Sequence, residues 1–204
     1  QKTGIKVVLK VLKFREAEDW KIVELFEREA EILKKINHPN IPYYIDYFSL
    51  EEDDELYLII VQQYVEGKNL KELIEKRTPF SETEIFSIFN ELLNILEYLH
   101  TQNPAIIHRD VNPKNIILDN QGKIYLVDFG AVGHIQTETI AAAMSNTFVG
   151  TIGFMPQEQL FGKVAPQTDI YSLGVTMIYL ITGKHPSEMQ IKKGKLDFRS
   201  FAGI

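Results

Sequence analysis

The sequence predicts an α+β fold, β-rich with one helix in its first part and mainly helical beyond it. Three observations predict it. The order of hydrophobic periods is strands around one helix, then a short connector, then mainly helices. Near the middle, Ile116-Ile117-Leu118 and Ile124-Tyr125-Leu126-Val127 flank Asp119-Asn120-Gln121-Gly122, a tight turn between two short strands. The length of 204 residues, 45% hydrophobic and 25% charged, suits one large domain or two small lobes sharing a cleft. After Gly67 the composition turns helical.

Each element follows from its own pattern. Ile5 to Leu12 is rich in Val, Ile and Leu with Lys interspersed and reads as a strand. Glu18-Asp19 opens a helix whose Trp20, Val23, Phe26, Ala30, Leu33 and Ile36 fall three or four apart, on one face. Pro39 disfavours helix at the residue before it, so Asn37-His38-Pro39 ends that helix. Pro42 to Leu50 is a second strand, Glu51 to Glu55 an acidic turn, and Leu56 to Tyr64 a continuous apolar strand. Asn69 to Lys76 is a short helix. Ser81-Glu82-Thr83-Glu84 is a capping box that opens a helix running to about His100. Its Ile85, Phe86, Phe89, Leu92, Leu93, Leu96 and Leu99 form a wide buried face. Gly133 to Phe148 is polar and weakly patterned, and is expected to be a mobile loop. Thr168-Asp169 caps a helix to Ile181 that Gly183 terminates. Apolar residues surround that helix, so it is expected to be buried on all sides.

Composition narrows the function. A net charge of −6 gives no bulk attraction for nucleic acid, and no nucleic-acid partner is expected. With no cysteine, disulfides and thiolate metal sites are excluded. The lack of cysteine also suits a reducing compartment, and the expected location is cytoplasmic. The longest apolar stretch, Ile170 to Thr182, is interrupted by Ser172, Gly174 and Thr176 and is too short to span a bilayer. The chain opens in strand-like sequence and stops without a terminating signal, which reads as a piece of a longer protein. Oligomeric state is not legible.

The chemistry gathers in Ile107-His108-Arg109-Asp110-Val111-Asn112-Pro113-Lys114-Asn115 and Val127-Asp128-Phe129-Gly130. A hairpin between them returns Asn115 and Asp128 to the same end. Mg²⁺ takes oxygen ligands and shares them with substrate phosphates, so two oxygen-bearing side chains beside a candidate base, Asp110, suit phosphoryl transfer. Taken singly, Asp110 also fits a turn, Asn115 a cap and Asp128 a strand end.

His-Arg-Asp, Asn five residues after the Asp, then Asp-Phe-Gly resembles the catalytic core of protein kinases. The resemblance runs from Val7-Val8-Leu9-Lys10, similar to the family's third-strand lysine motif, to Asp169-Ile170-Tyr171-Ser172-Leu173-Gly174, similar to its buried helix. It implies a Hanks-type serine/threonine protein kinase, bacterial in character, that uses ATP and Mg²⁺ on a protein substrate bearing Ser or Thr. By resemblance, Asp110 orients the substrate hydroxyl or takes its proton, and Asn115 and Asp128 hold Mg²⁺. Lys10 binds the phosphates and Glu29 holds Lys10. Lys10 by itself equally fits a strand lysine facing water beside Lys6 and Lys13. The resemblance implies a two-lobed fold, a small β-rich lobe over residues 1–66 and a mainly helical one over 67–204, with Gln62-Gln63-Tyr64-Val65-Glu66-Gly67 as the hinge between them, Gln62 as the gatekeeper and the backbone of Gln63 and Val65 facing the adenine. Asn37-His38-Pro39-Asn40-Ile41 matches a structural turn. Arg109 is placed to pair with a phosphate on Thr147 or Ser145, with Thr137 and Thr139 further away. Thr151, in Gly150-Thr151-Ile152-Gly153-Phe154-Met155, contacts Asp110. Glu158, in Pro156-Gln157-Glu158 where the family has Ala-Pro-Glu, would pair with an arginine beyond the end of the chain. Asp169 braces the catalytic loop, and His108, Phe129, Leu33 and Tyr44 stack as an apolar column.

Three departures stand against the family pattern. The glycine-rich segment that covers the ATP phosphates would precede Gln1. Asn112 stands where serine/threonine kinases usually place a lysine, so that charge is missing, and Lys114 should project differently. By the same pattern, the last helices of the second lobe would follow Ile204. A kinase-like module that binds nucleotide or a partner without transfer is the main alternative; a small-molecule kinase is disfavoured by the Gly150–Met155 segment. Thr182-Gly183-Lys184-His185 lacks the upstream glycine of a P-loop, the five histidines never fall at zinc-ligand spacing, and no Gly-x-Ser-x-Gly elbow appears.

Overall fold

The computed structural model describes residues 4–14, 20–53, 55–134, 150–192 and 195–201. Its first lobe is an antiparallel sheet of β1 (Val7–Phe14), β2 (Tyr44–Glu52) and β3 (Glu55–Gln63) in the order β1-β3-β2. The most continuously apolar strand takes the centre, and Leu58 to Val61 are buried there. The ladder pairs Glu52 with Glu55, so strand replaces most of the acidic turn expected over Glu51–Glu55. Helix α1 (Trp20–Lys35) packs Val23, Phe26, Ala30 and Leu33 into the core, as their spacing predicts. Trp20 departs from the prediction. It is 68% exposed and meets Phe14 edge-on at 5.6 Å. Spacing defines a helix face but not where the core beneath that face ends. Glu18 and Asp19 lie outside the described residues.

The second lobe opens with β4 (Gly67–Asn69), which joins β6 (Ile116–Asp119) and β7 (Ile124–Leu126) in a sheet ordered β4-β6-β7. A Cβ on Gly67 would collide with the carbonyl of Leu118, so this strand contact requires glycine. Helix α2 (Leu70–Glu75) is capped by the side chain of Asn69. Helix α3 (Glu82–His100) starts at the expected capping box. The Ser81 amide donates to Glu84 Oε2 at 2.7 Å, and the Glu84 amide donates to Ser81 Oγ at 3.2 Å. Leu92, Leu96 and Leu99 are buried as predicted, with Ile88 and Ile95 beside them. Phe86, expected in that face, is 65% exposed. The buried stripe is centred on Ile88, Leu92 and Ile95, which turns Phe86 outward.

After β5 (Ile106–Ile107) and a 3-10 turn over Pro113–Asn115, the chain forms the β6–β7 hairpin and then β8 (Gly133–His134). β8 pairs with β5, so the segment expected to be a loop begins as strand. Residues 135–148 of that segment lie outside the described residues. A short helix, α4 (Gln157–Leu160), precedes α5 (Pro166–Thr182). Thr168-Asp169 is not the cap of α5. Pro166, with its φ preset for helix, occupies the first turn, Ala165 is the N-cap, and Thr168 Oγ1 accepts the Ala165 amide at 3.1 Å. Gly183 ends the helix at φ 64 with its amide on the carbonyl of Tyr179, as expected. α5 is not buried all round: Asp169, Leu173 and Thr176 are buried, while Ile170, Tyr171 and Ile181 are exposed. Among the described residues, no helix is long and apolar enough to cross a membrane.

Candidate active site

The β6–β7 hairpin sets the site. The amide of Val127 donates to the carbonyl of Asn115 at 2.9 Å, so Asn115 and Asp128 leave the hairpin side by side. Asp110 sits on the loop that leads into it. Asn115 Nδ2 donates to Asp110 Oδ2 at 2.8 Å and to the Asp110 carbonyl at 2.9 Å. Thr151 Oγ1 donates to Asp110 Oδ1 at 2.8 Å. Both carboxylate oxygens are therefore held, and Thr151 is where the resemblance placed it.

The loop is fastened from below by α5. Asp169, fully buried, accepts the amides of His108 at 2.9 Å and Arg109 at 2.8 Å. Those bonds support Arg109 at φ 66, a left-handed conformation rare outside glycine. Gln159 Nε2 donates to the Arg109 carbonyl at 2.8 Å. His100, in the last turn of α3, adds a 2.8 Å contact from Nε2 to Asp169 Oδ2. Sequence reasoning found Asp169 but missed His100 and Gln159. Only the position of a histidine at a helix end hinted at the first, and nothing hinted at the second.

His108 is buried, and burial holds it below the ordinary imidazole range against the pull of Asp169, Asp110 and Asp128. Its Nδ1 accepts the Asp110 amide at 3.3 Å, so the neutral ring carries its proton on Nε2, facing the Val127 carbonyl at 3.3 Å. Its ring meets Phe129 edge-on at 4.8 Å. Phe129, Leu33 and Tyr44 belong to one apolar cluster that joins the two lobes.

Above the loop stands a charged group. Lys10, half-buried on β1, lies 2.8 and 2.7 Å from the two carboxylate oxygens of Glu29 on α1 and 2.7 Å from Asp128 Oδ1. A lysine facing water is thus not what the structure holds. Burial lowers the pKa of Lys10, but Glu29 and Asp128 outweigh it and hold the ammonium above its ordinary range. Burial raises Glu29 by more than Lys10 lowers it, leaving it above the usual carboxylate range. Asp128 is also opposed by burial, yet Lys10 and the amide of Gly130 hold it below that range. A Cβ on Gly130 would lie 2.9 Å from Lys10 Nζ, so glycine gives the ammonium its room.

The hinge residues stand apart. Gln63 ends β3, its amide on the Tyr43 carbonyl at 3.0 Å, and Val65 is buried just beyond it. Thr137, Thr139, Ser145 and Thr147 lie outside the described residues, as does any partner they would offer Arg109.

This arrangement has a family. The family described as "Protein kinase domain" matches residues 1–202, and the chain belongs to it. Among named proteins, the chain is 39% identical over 176 residues to serine/threonine-protein kinase F of Synechocystis sp., covering 82% of this chain and 35% of that one. It is 41% identical over 191 residues to serine/threonine-protein kinase B of the same organism, covering 89% and 32%. It is 35% identical over 182 residues to serine/threonine-protein kinase PrkC of Bacillus subtilis, covering 89% and 27%. The chain spans about a third or less of the length of these relatives.

Protein kinases use ATP and Mg²⁺, and the side chains here fit that pair. Asn115 commits its Nδ2 to Asp110, which leaves the amide oxygen for a cation, and Asp128 adds a carboxylate held ionised. Both are the hard oxygen donors that Mg²⁺ prefers. Among the described residues, no group of three or more His, Asp or Glu is arranged to hold a metal ion, so this chain would supply only Asn115 and Asp128.

Proposed function

We propose that the protein is a serine/threonine protein kinase that transfers the γ-phosphoryl of Mg-ATP to a protein hydroxyl. The observation that carries this reading is the double anchoring of Asp110, with Thr151 on one oxygen and Asn115 on the other. Bound Mg-ATP supplies the phosphoryl group, with the cation offsetting its charge. Asp110 orients the incoming hydroxyl and takes its proton on a carboxylate oxygen. Asn115 and Asp128 are the cation's ligands from this chain. Lys10, steadied by Glu29, is the phosphate contact, and the backbone of Gln63 and Val65 is the adenine contact at the hinge between residues 1–66 and 67–204. The relatives' names, which say serine/threonine kinase, support the choice of hydroxyl. A cytoplasmic location for this domain follows from where ATP is plentiful.

The test is phosphoryl transfer from labelled ATP by the full-length protein to a mixed protein substrate, followed by phosphoamino-acid analysis. The reading expects phosphoserine or phosphothreonine. It also expects Asp110→Asn to lower transfer by about 10³-fold with nucleotide binding retained. Binding without transfer in the wild type would select the competing reading, a nucleotide-binding module, which the uncharged Asn112 favours.

A further inference from the structure

Asn112 is the residue at which this chain departs from its family within the catalytic loop, and the structure gives its side chain a definite task. It is 1% exposed. Its Nδ2 donates to the Asp110 carbonyl at 3.0 Å and to Thr151 Oγ1 at 3.1 Å. Its Oδ1 accepts the amide of Lys114 at 2.9 Å, which makes it the N-cap of the Pro113–Asn115 turn. A carboxamide has two N–H groups and one carbonyl oxygen, so these three bonds engage both donors and the acceptor. Nothing in that geometry directs the side chain toward a transferred phosphoryl group.

We infer that Asn112 is a positioning residue that aligns the Thr151 hydroxyl on Asp110. A hydroxyl has one proton and two lone pairs. With Asn112 Nδ2 donating to Thr151 Oγ1, the oxygen's own proton is turned toward Asp110 Oδ1, 2.8 Å away. The Asn112–Thr151–Asp110 relay thus sets which carboxylate oxygen is covered and pins the Gly150–Met155 segment to the catalytic loop. Asn115 covers the other oxygen at 2.8 Å. Fixed donors on both oxygens define the carboxylate plane, and the same amide that orients Thr151 also stiffens the turn delivering Asn115. The residue acts by hydrogen-bond geometry, with no charge of its own. Charge on the moving phosphoryl group is then left to Lys10 and the cation.

The proposal rests on the kinase reading for its kinetic consequences, but the relay itself is measurable without activity. Asn112→Ser keeps a side-chain oxygen able to cap the Lys114 amide and is too short to reach Thr151. Asn112→Ala removes all three bonds, and Thr151→Ala removes the acceptor. In the full-length protein, misaligning a reacting group this way should lower kcat by roughly 10-fold to 100-fold in Asn112→Ser, with KM for ATP unchanged. Asn112→Ser/Thr151→Ala should be no slower than Thr151→Ala alone, because the two residues form one relay. A double-mutant cycle on thermal unfolding, using the same proteins, should show coupling between positions 112 and 151. Wild-type kcat in Asn112→Ser, or additive losses in the double variant, would overturn the inference. If the wild type transfers no phosphate, the kinase reading fails, and the unfolding cycle still decides: coupling upholds the relay and strict additivity removes it.

Discussion

The lower and upper halves of the site are held by different forces. The loop from His108 to Asn115 is fixed by short hydrogen bonds to Asp169, Thr151 and the hairpin backbone. The Lys10–Glu29–Asp128 group is held by charge, with Lys10 35% and Asp128 51% exposed at their side chains. Buried, satisfied bonds have one geometry and lose much when broken. Partly exposed ion pairs give way to solvent and salt. The loop is therefore a fixed template, whereas the Lys10–Asp128 pair is partly open to solvent and more sensitive to salt. That suits a residue proposed to take a metal in one state and a lysine in another.

The largest expected effect is at the base of the template. Asp169→Ala strips the acceptor from two buried amides and from His100, and should cost about 4 kcal/mol in denaturant unfolding. If the loop were held mainly from above, the loss would be far smaller. Lys10→Met should lower stability less than Asp169→Ala does, yet abolish transfer. Its loss leaves Glu29 buried without its cation, and Glu29, already above the usual carboxylate range, should be pushed higher still and take up a proton more readily. High salt should weaken the stability difference between wild type and Lys10→Met and leave that for Asp169→Ala unchanged, which denaturant melts at low and high salt would separate.

A smaller effect concerns pH. The folded His108 titrates below its unfolded value of about 6.5, so the unfolded chain binds more protons on the acid side. The stability that neutral His108 contributes is present above about pH 6.5 and is lost as pH falls through its lower folded value. Protonation would also remove the Nδ1 acceptor from the Asp110 amide. His108→Phe should flatten the fall of the melting midpoint over that window. Smaller again, Ser81→Ala should cost about 1 kcal/mol by removing a cap remote from both halves. Phe86→Ser should change stability by no more than about 0.5 kcal/mol, since the ring is largely in solvent.

Much of this organisation is readable from residues alone. Asn115 and Asp128 were legible as neighbours because a tight turn between two short apolar runs returns the chain to the same end, while the place of Asp110 beside them came from the resemblance. Lys10 and Glu29 were not legible from spacing. A strand lysine and a helix glutamate 19 positions apart become partners only once the helix packs on the sheet, and family resemblance supplied the pairing. The errors have a common origin. Trp20 and Phe86 fit the helical period but sit at the margin of their stripes, and periodicity carries no information about width. The start of α5 was misplaced because Thr and Asp are strong capping residues, while Pro166 two positions earlier fixed the first turn. Thr168 still serves the cap, from the third helical position. His100 and Gln159 were invisible because each bonds to a group 50 or more residues away.

The most direct measurement is nucleotide binding to the full-length protein by calorimetry, with and without Mg²⁺, in the wild type and in Asp128→Ala. Convergence of Asn115 and Asp128 on one cation predicts that Mg²⁺ tightens ATP binding in the wild type and has no such effect in the variant. Equal tightening by Mg²⁺ in both proteins would contradict it.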